Sequence, residues 1–292
     1  MSNIIYKALR YSGAAWLWRE TVQRGKATFL LFHDMEAADA ERNFAYLKRH
    51  YNIIGLQDYL QAVHKGTKLP RKALVITFDD GHASNRALLP ALQRMQVPVT
   101  IFLCSEIVGT QRHFWFRHSE AKPQVEALKR IPNTERLQRL APLGFSQEKE
   151  FGDRQALTAD EIGEMKHAVD FQSHTCFHPI LPQCDNATAR HEIIDSKRQL
   201  EERYGLAINT LSYPNGDYSE RDIRLAREAG YTCGVTVDAG YNTLHTDLFR
   251  LKRFSVNDVH TTEELMVKAC GLYALIKHKL HKPSYGFKPT LQ

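Results

Sequence analysis

Asp79 and Asp80 stand side by side after an apolar run, Ala73 to Phe78, and are followed by Gly81. Adjacent carboxylates at a strand end point in different directions, so one can reach a metal ion while its neighbour stays free to take a proton. About a hundred residues on, His174 and His178 stand four apart, as two ligands on one helical turn would, and Pro179 pins the backbone after them. One carboxylate oxygen with two imidazoles is a three-ligand set that leaves positions open for water and substrate, the pattern of a hydrolytic metal site and not of a structural one. His33-Asp34 and Tyr213-Pro214-Asn215-Gly216 end two further apolar runs. Taken singly, a DDG run is most often a turn and two such histidines are most often ordinary surface or core residues. The conjunction is what points to chemistry.

The elements that must position these groups are short apolar strands at Ala27 to Phe32, Ala73 to Phe78, Val97 to Cys104, Val169 to Gln172, Ile208 to Tyr213 and Tyr231 to Val237. Between them run helical stretches: one through Leu88 to Met95, a capping box at Thr158 to Glu161, a helix over 186–204 with Gly205 as its C-cap, and one opened by Ser219 and Asp222 that ends at Gly230. Strands alternating with helices predict parallel βα units, an α/β fold whose strands share one carboxyl end where ligand-binding groups collect. No linker divides them, so the expectation is one domain over 27–292 behind a basic N-terminal segment, 1–26. Residues 109–157 break the rhythm with Pro123, Pro132, Pro142, Gly144 and Gly152, and read as an insertion, either a lid or an extra helical layer. His113 to Phe116 at its start would form the rim of a cleft or an aromatic plug over the barrel end.

Thr77-Phe78-Asp79-Asp80-Gly81, His174-Thr175-Cys176-Phe177-His178-Pro179 and Tyr213-Pro214-Asn215-Gly216, in that order, resemble the first three motifs of the polysaccharide deacetylase (NodB homology) family of carbohydrate esterases, over roughly residues 27–256. The resemblance implies a distorted (β/α) barrel with fewer than eight βα units. It implies one divalent ion, zinc first with cobalt, nickel or manganese as alternatives, held by Asp80, His174 and His178. Asp79 would be the general base, and the backbone N–H of Asn215 an oxyanion donor. The expected reaction is removal of an N-acetyl group from an amino sugar in a polysaccharide, oligosaccharide or lipid-linked precursor. Hydrolysis of another C–N bond, by a deformylase or cyclic amidase, and an inactive glycan-binding relative are the alternatives. Ser212 stands where many members carry arginine and Asn215 where they carry tyrosine, and the fourth motif has no match. Arg253 is the candidate for the missing cation near Asp79, against the plainer reading of a surface arginine. The usual C-terminal Leu-x-His is absent, since Leu275-Ile276-Lys277-His278 is out of register, but Leu31-Phe32-His33 has its form. First and last barrel strands are neighbours, so His33 is the expected general acid.

With 43% apolar and 25% charged residues among 292, the chain is neither a rod nor a disordered tail. Lys and Arg exceed Asp and Glu by 39 to 33, and both termini are basic. No arginine-aromatic tract, zinc finger, phosphate loop or serine nucleophile elbow appears, so nucleic acid is not an expected partner. Five scattered cysteines suit reduced thiols, and the absence of a recognisable export signal points to the cytoplasm. Cys176, between the histidines, is a remote fourth-ligand candidate, while His82, His113 and His118 read as solvated or packed. In the N-terminal segment, Ile5, Leu9, Trp16 and Val22 follow a roughly helical pattern, with Tyr6, Tyr11 and Trp18 available at a bilayer interface. Residues 1–24 are thus either a peripheral membrane helix or an ordinary helix packed on the domain.

Overall fold

The computed structural model describes residues 3–256 and 261–274; the C-terminal basic run and Leu275 to His278 lie outside the described residues. Eight strands pair in parallel: β1 (Ala27–Phe32), β2 (Asn52–Ile53), β3 (Ala73–Phe78), β4 (Val99–Leu103), β5 (Val169–Ser173), β6 (Thr210–Ser212), β7 (Cys233–Val235) and β8 (Phe254–Ser255). Their spatial order is β7-β6-β5-β4-β3-β1-β8. β2 pairs with the start of β3 through Asn52↔Ala73, whereas β4 pairs with its end through Thr77↔Thr100. The sheet curls until its two edges share one short segment: Leu251 bridges Val235 of β7, and three residues on, Phe254 pairs with Leu30 of β1. The predicted distorted barrel is therefore the observed one.

Side chains alternate across this curled sheet. Ala27, Phe29, Ala73, Val75, Phe102, Cys233, Val235 and Leu251 form one buried cluster that fills the inside, with Leu56 and Tyr59 from the helix Leu56–Lys65. Leu30, Phe32, Leu74, Ile76, Phe78, Ile101 and Leu103 face outward into a second cluster beneath the helices. Both faces being covered, all six residues of β1 and of β3 are buried, which is why these strands read as unbroken apolar runs. The period of two sets the site: in β3 the inward series Ala73, Val75, Thr77 continues to Asp79, and beyond the bridge Leu251 continues to Arg253.

Most predicted helix ends are observed. Thr158 caps Ala159–Met165 in a reciprocal box with Glu161, and Gly205 closes Asn186–Tyr204 in a left-handed conformation (φ 64°). Residues 109–157 form a helical layer with a core of its own, Trp115, Ala121, Leu128, Leu140 and Phe145 packed with Ile180.

The N-terminus breaks at Ser12-Gly13 into Asn3–Tyr11 and Ala14–Thr21. Tyr6 and Ala15 pack with Val267 and Cys270, Leu9 and Trp18 lie against that cluster, and the Trp18 indole donates to the Tyr241 hydroxyl at 2.8 Å. Tyr6 and Trp18, two of the aromatics available for either a bilayer or the domain, are thus turned into the protein, because an apolar surface of the helix Thr262–Ala269 is there to receive them. Ile5, Tyr11, Trp16 and Leu17 remain exposed.

Candidate metal centre

Asp80, His174 and His178 each present a ligand atom within 4.8 Å of the others, and all three are buried. Asp80 Oδ1 lies 3.4 Å from Nε2 of both histidines. It has no hydrogen-bond partner among the described residues. A buried carboxylate oxygen facing two imidazole nitrogens and nothing else is a donor set that a divalent cation satisfies and that water-excluded protein does not. These three residues fit such an ion.

Each ligand is aimed by its surroundings. His174 Nδ1 lies 2.8 Å from the carbonyl of Ser212; a carbonyl only accepts, so Nδ1 carries the proton and Nε2 keeps its lone pair. Burial pushes His178 down to about 3, towards the neutral form a ligand must have. Burial also lowers His174, but the Asp79 and Asp80 charges outweigh it and the group is raised. Asp80 is opposed by burial yet held well below the usual carboxylate range by His174, His178 and His82.

The histidine pair is not built on a helical turn. β5 ends at Ser173, and the next residues form a tight loop in which Thr175 (φ 69°) and His178 (φ 57°) are left-handed. Asp80 is left-handed too (φ 74°), a conformation that costs non-glycine residues on the order of 1–3 kcal/mol and gathers at functional sites. At Gly81 (φ 69°) a Cβ would lie 2.5 Å from Leu103 Cδ2, so the DDG turn needs its glycine. The strain explains how a spacing of four puts two Nε2 atoms on one oxygen without a helix.

Asp79 is held apart from the ligands. Arg253 is not on the surface: its guanidinium is fully buried and donates to both Asp79 oxygens, at 2.7 and 2.8 Å. It also donates to the carbonyl of Thr236 (2.8 Å) and the hydroxyls of Ser212 (3.0 Å) and Thr77 (3.2 Å). Ser212, itself a donor to Asp79 at 3.2 Å, fills the place where a family arginine was expected, and Arg253 supplies the cation from the other edge of the sheet. Burial would raise Asp79; Arg253 and His174 win and hold it below the usual range.

His33 follows β1, and the β1–β3 ladder continues past Phe78 with Asp79 N–H donating to Phe32 O at 3.0 Å, which sets His33 at the strand end next to Asp79. A charge on His33 would act on both Asp79 and His178. Asn215 lies in a left-handed turn (φ 57°) after β6; its side chain is exposed and donates to Asp217 at 2.6 Å. Cys176 points away, with Sγ 3.8 Å from His191 O and Gln199 Oε1, and takes no part in the cluster.

Two features went unread in the sequence. His82 is not a bystander: its ring is buried, Nε2 lies 3.0 Å from Asp80 Oδ2, and Nδ1 lies 3.0 Å from Arg117 Nη1. Arginine only donates, so Nδ1 accepts and Nε2–H is the proton offered to Asp80. Arg117 belongs to the insertion and pairs with Asp34 at 3.2 Å; Asp34, Ser84, His82 and Arg117 line a cavity of about 530 Å³ beside the site. The insertion also contacts His178, with the Trp115 indole donating to its carbonyl at 2.9 Å and the Phe116 ring 4.7 Å from its imidazole. Its aromatic start is thus rim to the site and core to the layer above. The second feature is Glu192, which pins the histidine loop from below.

A parallel barrel whose carboxyl rim carries an Asp-His-His cluster beside a second, arginine-paired aspartate is the framework of a hydrolase with a candidate metal site. The comparison with known families is consistent with it: the family described as Polysaccharide deacetylase matches residues 66–234, more than half of the chain, and the chain belongs to that family. His33 and Arg253 both fall outside the matched stretch. YxkH of Bacillus subtilis, which bears the provisional name of a polysaccharide deacetylase, is 22% identical over 251 residues, covering 82% of this chain and 75% of its own. Among solved structures, IcaB from Ammonifex degensii superposes with a TM-score of 0.63 at 17% identity, over 85% of this chain and 98% of its own. The Streptococcus pyogenes deacetylase PplD, solved with acetate, gives 0.61 at 18% identity, over 84% and 99%. These likenesses are of fold.

Proposed function

We propose that the protein is a metal-dependent N-deacetylase acting on an amino sugar within a glycan or a lipid-linked glycan precursor. The observation that carries this is the convergence of Asp80, His174 and His178 around one unpartnered buried oxygen, with Asp79 beside them on its own arginine. The ion these three would hold, zinc first, supplies Lewis-acid polarisation of the acetyl carbonyl and lowers the pKa of water from 15.7 to about 7.

The chain's own groups do the rest. Asp79 accepts the proton of the attacking water, and Arg253 fixes its two oxygens while Ser212 steadies one of them. The Asn215 N–H donates to the oxyanion that develops, and His33, reaching over from β1, protonates the departing amine. Free, buried thiols at all five cysteines suit a reducing compartment. No described helix is long and apolar enough to cross a membrane. The exposed Tyr11, Trp16 and Leu17, near Lys7 and Arg10, support contact of residues 1–24 with an anionic bilayer.

Acetate release measured against N-acetylated oligosaccharides, nucleotide sugars and lipid-linked glycans, before and after chelation and zinc readdition, tests the reading. Release that is abolished by the chelator and restored by zinc is expected. Release unaffected by thorough chelation, or none from any N-acetylated glycan by zinc-loaded protein, would overturn it.

A further inference from the structure

We infer that Glu192 is a positioning residue for the metal ligands, acting through the backbone of the loop that carries them. Glu192 lies in the first turns of the helix Asn186–Tyr204 and is 2% exposed. One of its oxygens, Oε2, accepts from two consecutive backbone amides, Cys176 N–H at 2.8 Å and Phe177 N–H at 2.9 Å. Those are the amides midway between His174 and His178.

The loop has no sheet partner to take them. Its left-handed residues, Thr175 and His178, turn the chain back so that both imidazoles meet Asp80, and the same turn directs the Cys176 and Phe177 amides together into the interior. The carbonyls of the loop are occupied elsewhere: Thr175 O accepts from Ser105 N–H at 3.0 Å and Cys176 O from Glu106 N–H at 3.2 Å. The His178 amide donates to the Thr175 hydroxyl at 3.2 Å. Remove Glu192 and two buried amides have no acceptor. An unpaired buried amide is costly, so the loop would rotate to find other partners, and both ligand imidazoles ride on that rotation. A side chain with one well-placed carbonyl oxygen suffices for the role; the negative charge does not.

The inference rests on the metal reading above, and direct zinc titration by calorimetry, with a competing chelator, tests it. Removal of a group that orients a ligand typically weakens metal binding 10–100-fold, and that loss is expected for Glu192→Leu. Glu192→Gln keeps the acceptor oxygen and should stay within about three-fold of wild type on that basis. Hydrogen exchange should show the Cys176 and Phe177 amides protected in wild type and Glu192→Gln and open in Glu192→Leu. Should Glu192→Leu fail to fold, Glu192→Asp replaces it: it keeps the carboxyl group but withdraws the oxygen by about one bond length, ~1.5 Å. The aspartate variant should then bind zinc more weakly than Glu192→Gln.

Wild-type zinc affinity in a folded Glu192→Leu, or an aspartate variant that outperforms the glutamine one, would overturn the inference while leaving the metal site standing. A wild-type protein that binds no zinc would overturn both. His178→Ala, which removes a ligand and leaves Glu192 in place, should bind no zinc.

Discussion

Replacing Arg253 by methionine strands a charge. The guanidinium is wholly buried, and the Asp79 side chain is only 4% exposed, so solvent cannot take over what the arginine gave. Methionine fills much of the volume but donates nothing, leaving Asp79 with the Ser212 hydroxyl and the more distant His174 ring, 3.9 Å away, as its partners. Breaking a buried ion pair from one side costs about 3–5 kcal/mol. At roughly 2–4 °C per kcal/mol for a chain of this size, Tm should fall by on the order of 10 °C. Adding Asp79→Asn removes the stranded charge, so the double variant should be more stable than Arg253→Met alone, with a coupling energy above about 1.5 kcal/mol. The sign with pH is fixed as well. The pair holds Asp79 below the ordinary carboxylate range, so its stabilisation is present above that range and is lost in acid; the gap between wild type and Arg253→Met should narrow as the pH falls towards the Asp79 titration. Urea unfolding of the four proteins closes the cycle. Additivity within about 0.5 kcal/mol, or an Arg253→Met protein as stable as wild type, would refute the reasoning.

His33→Ala should keep its zinc and its fold yet lose about 10² to 10⁴ in kcat; a mutant with wild-type kcat would return the general acid to another part of the chain. Burial raises Glu192 to about 7 despite the Phe177 and Cys176 amides, so its protonated form is favoured in the fold. Stability should therefore decline as pH rises from the unfolded value near 4.5 towards 7, by on the order of 3 kcal/mol at most, and Glu192→Gln should flatten that decline in pH-dependent thermal melts. Trp16→Ser/Leu17→Ser should lower sedimentation with anionic vesicles at low salt without moving Tm; undiminished binding would take these residues out of any membrane contact.

What could be read from the sequence was local. Strands buried on both faces announced themselves as apolar runs, and the polar residues that ended them marked the rim, so Asp79, Asp80, His174 and His178 were singled out as candidates from type and position, and the fold brings them together. The order of the motifs did not require knowing how the sheet closes. What was not legible depends on contacts between distant residues. Arg253 was nameable only as a candidate, because its burial follows from a two-residue parity carried past Leu251 onto the far edge of the sheet. His82 looked like any histidine after a turn, since its partner Arg117 arrives from an insertion whose own fold leaves little trace in periodicity. The helical reading of His174 and His178 failed for a related reason: backbone φ values of 69° and 57° at Thr175 and His178 are unfavourable locally and are imposed by Ser105, Glu106 and Glu192. Tyr6 and Trp18 looked suited to a bilayer because an aromatic residue does not state whether lipid or protein will cover it.

The seam at Leu251 to Ser255 also sets a timetable. Leu30 and its partner Phe254 are separated by 224 positions, so on the ribosome β1 is made well before its neighbour and waits for it while the intervening strands emerge. Until then the sheet has two raw edges, β1 and β7, each able to recruit a strand from a neighbouring nascent chain. Asp79 meanwhile lies beside His174 without the guanidinium that pairs with it in the finished fold. The segment Leu251 to Ser255 therefore acts as a latch that completes the sheet and brings Arg253 to Asp79 in one event. Ribosome-stalled chains released by cleavage just before Leu251 should be readily digested by protease, whereas chains extending well past Ser255 should resist it.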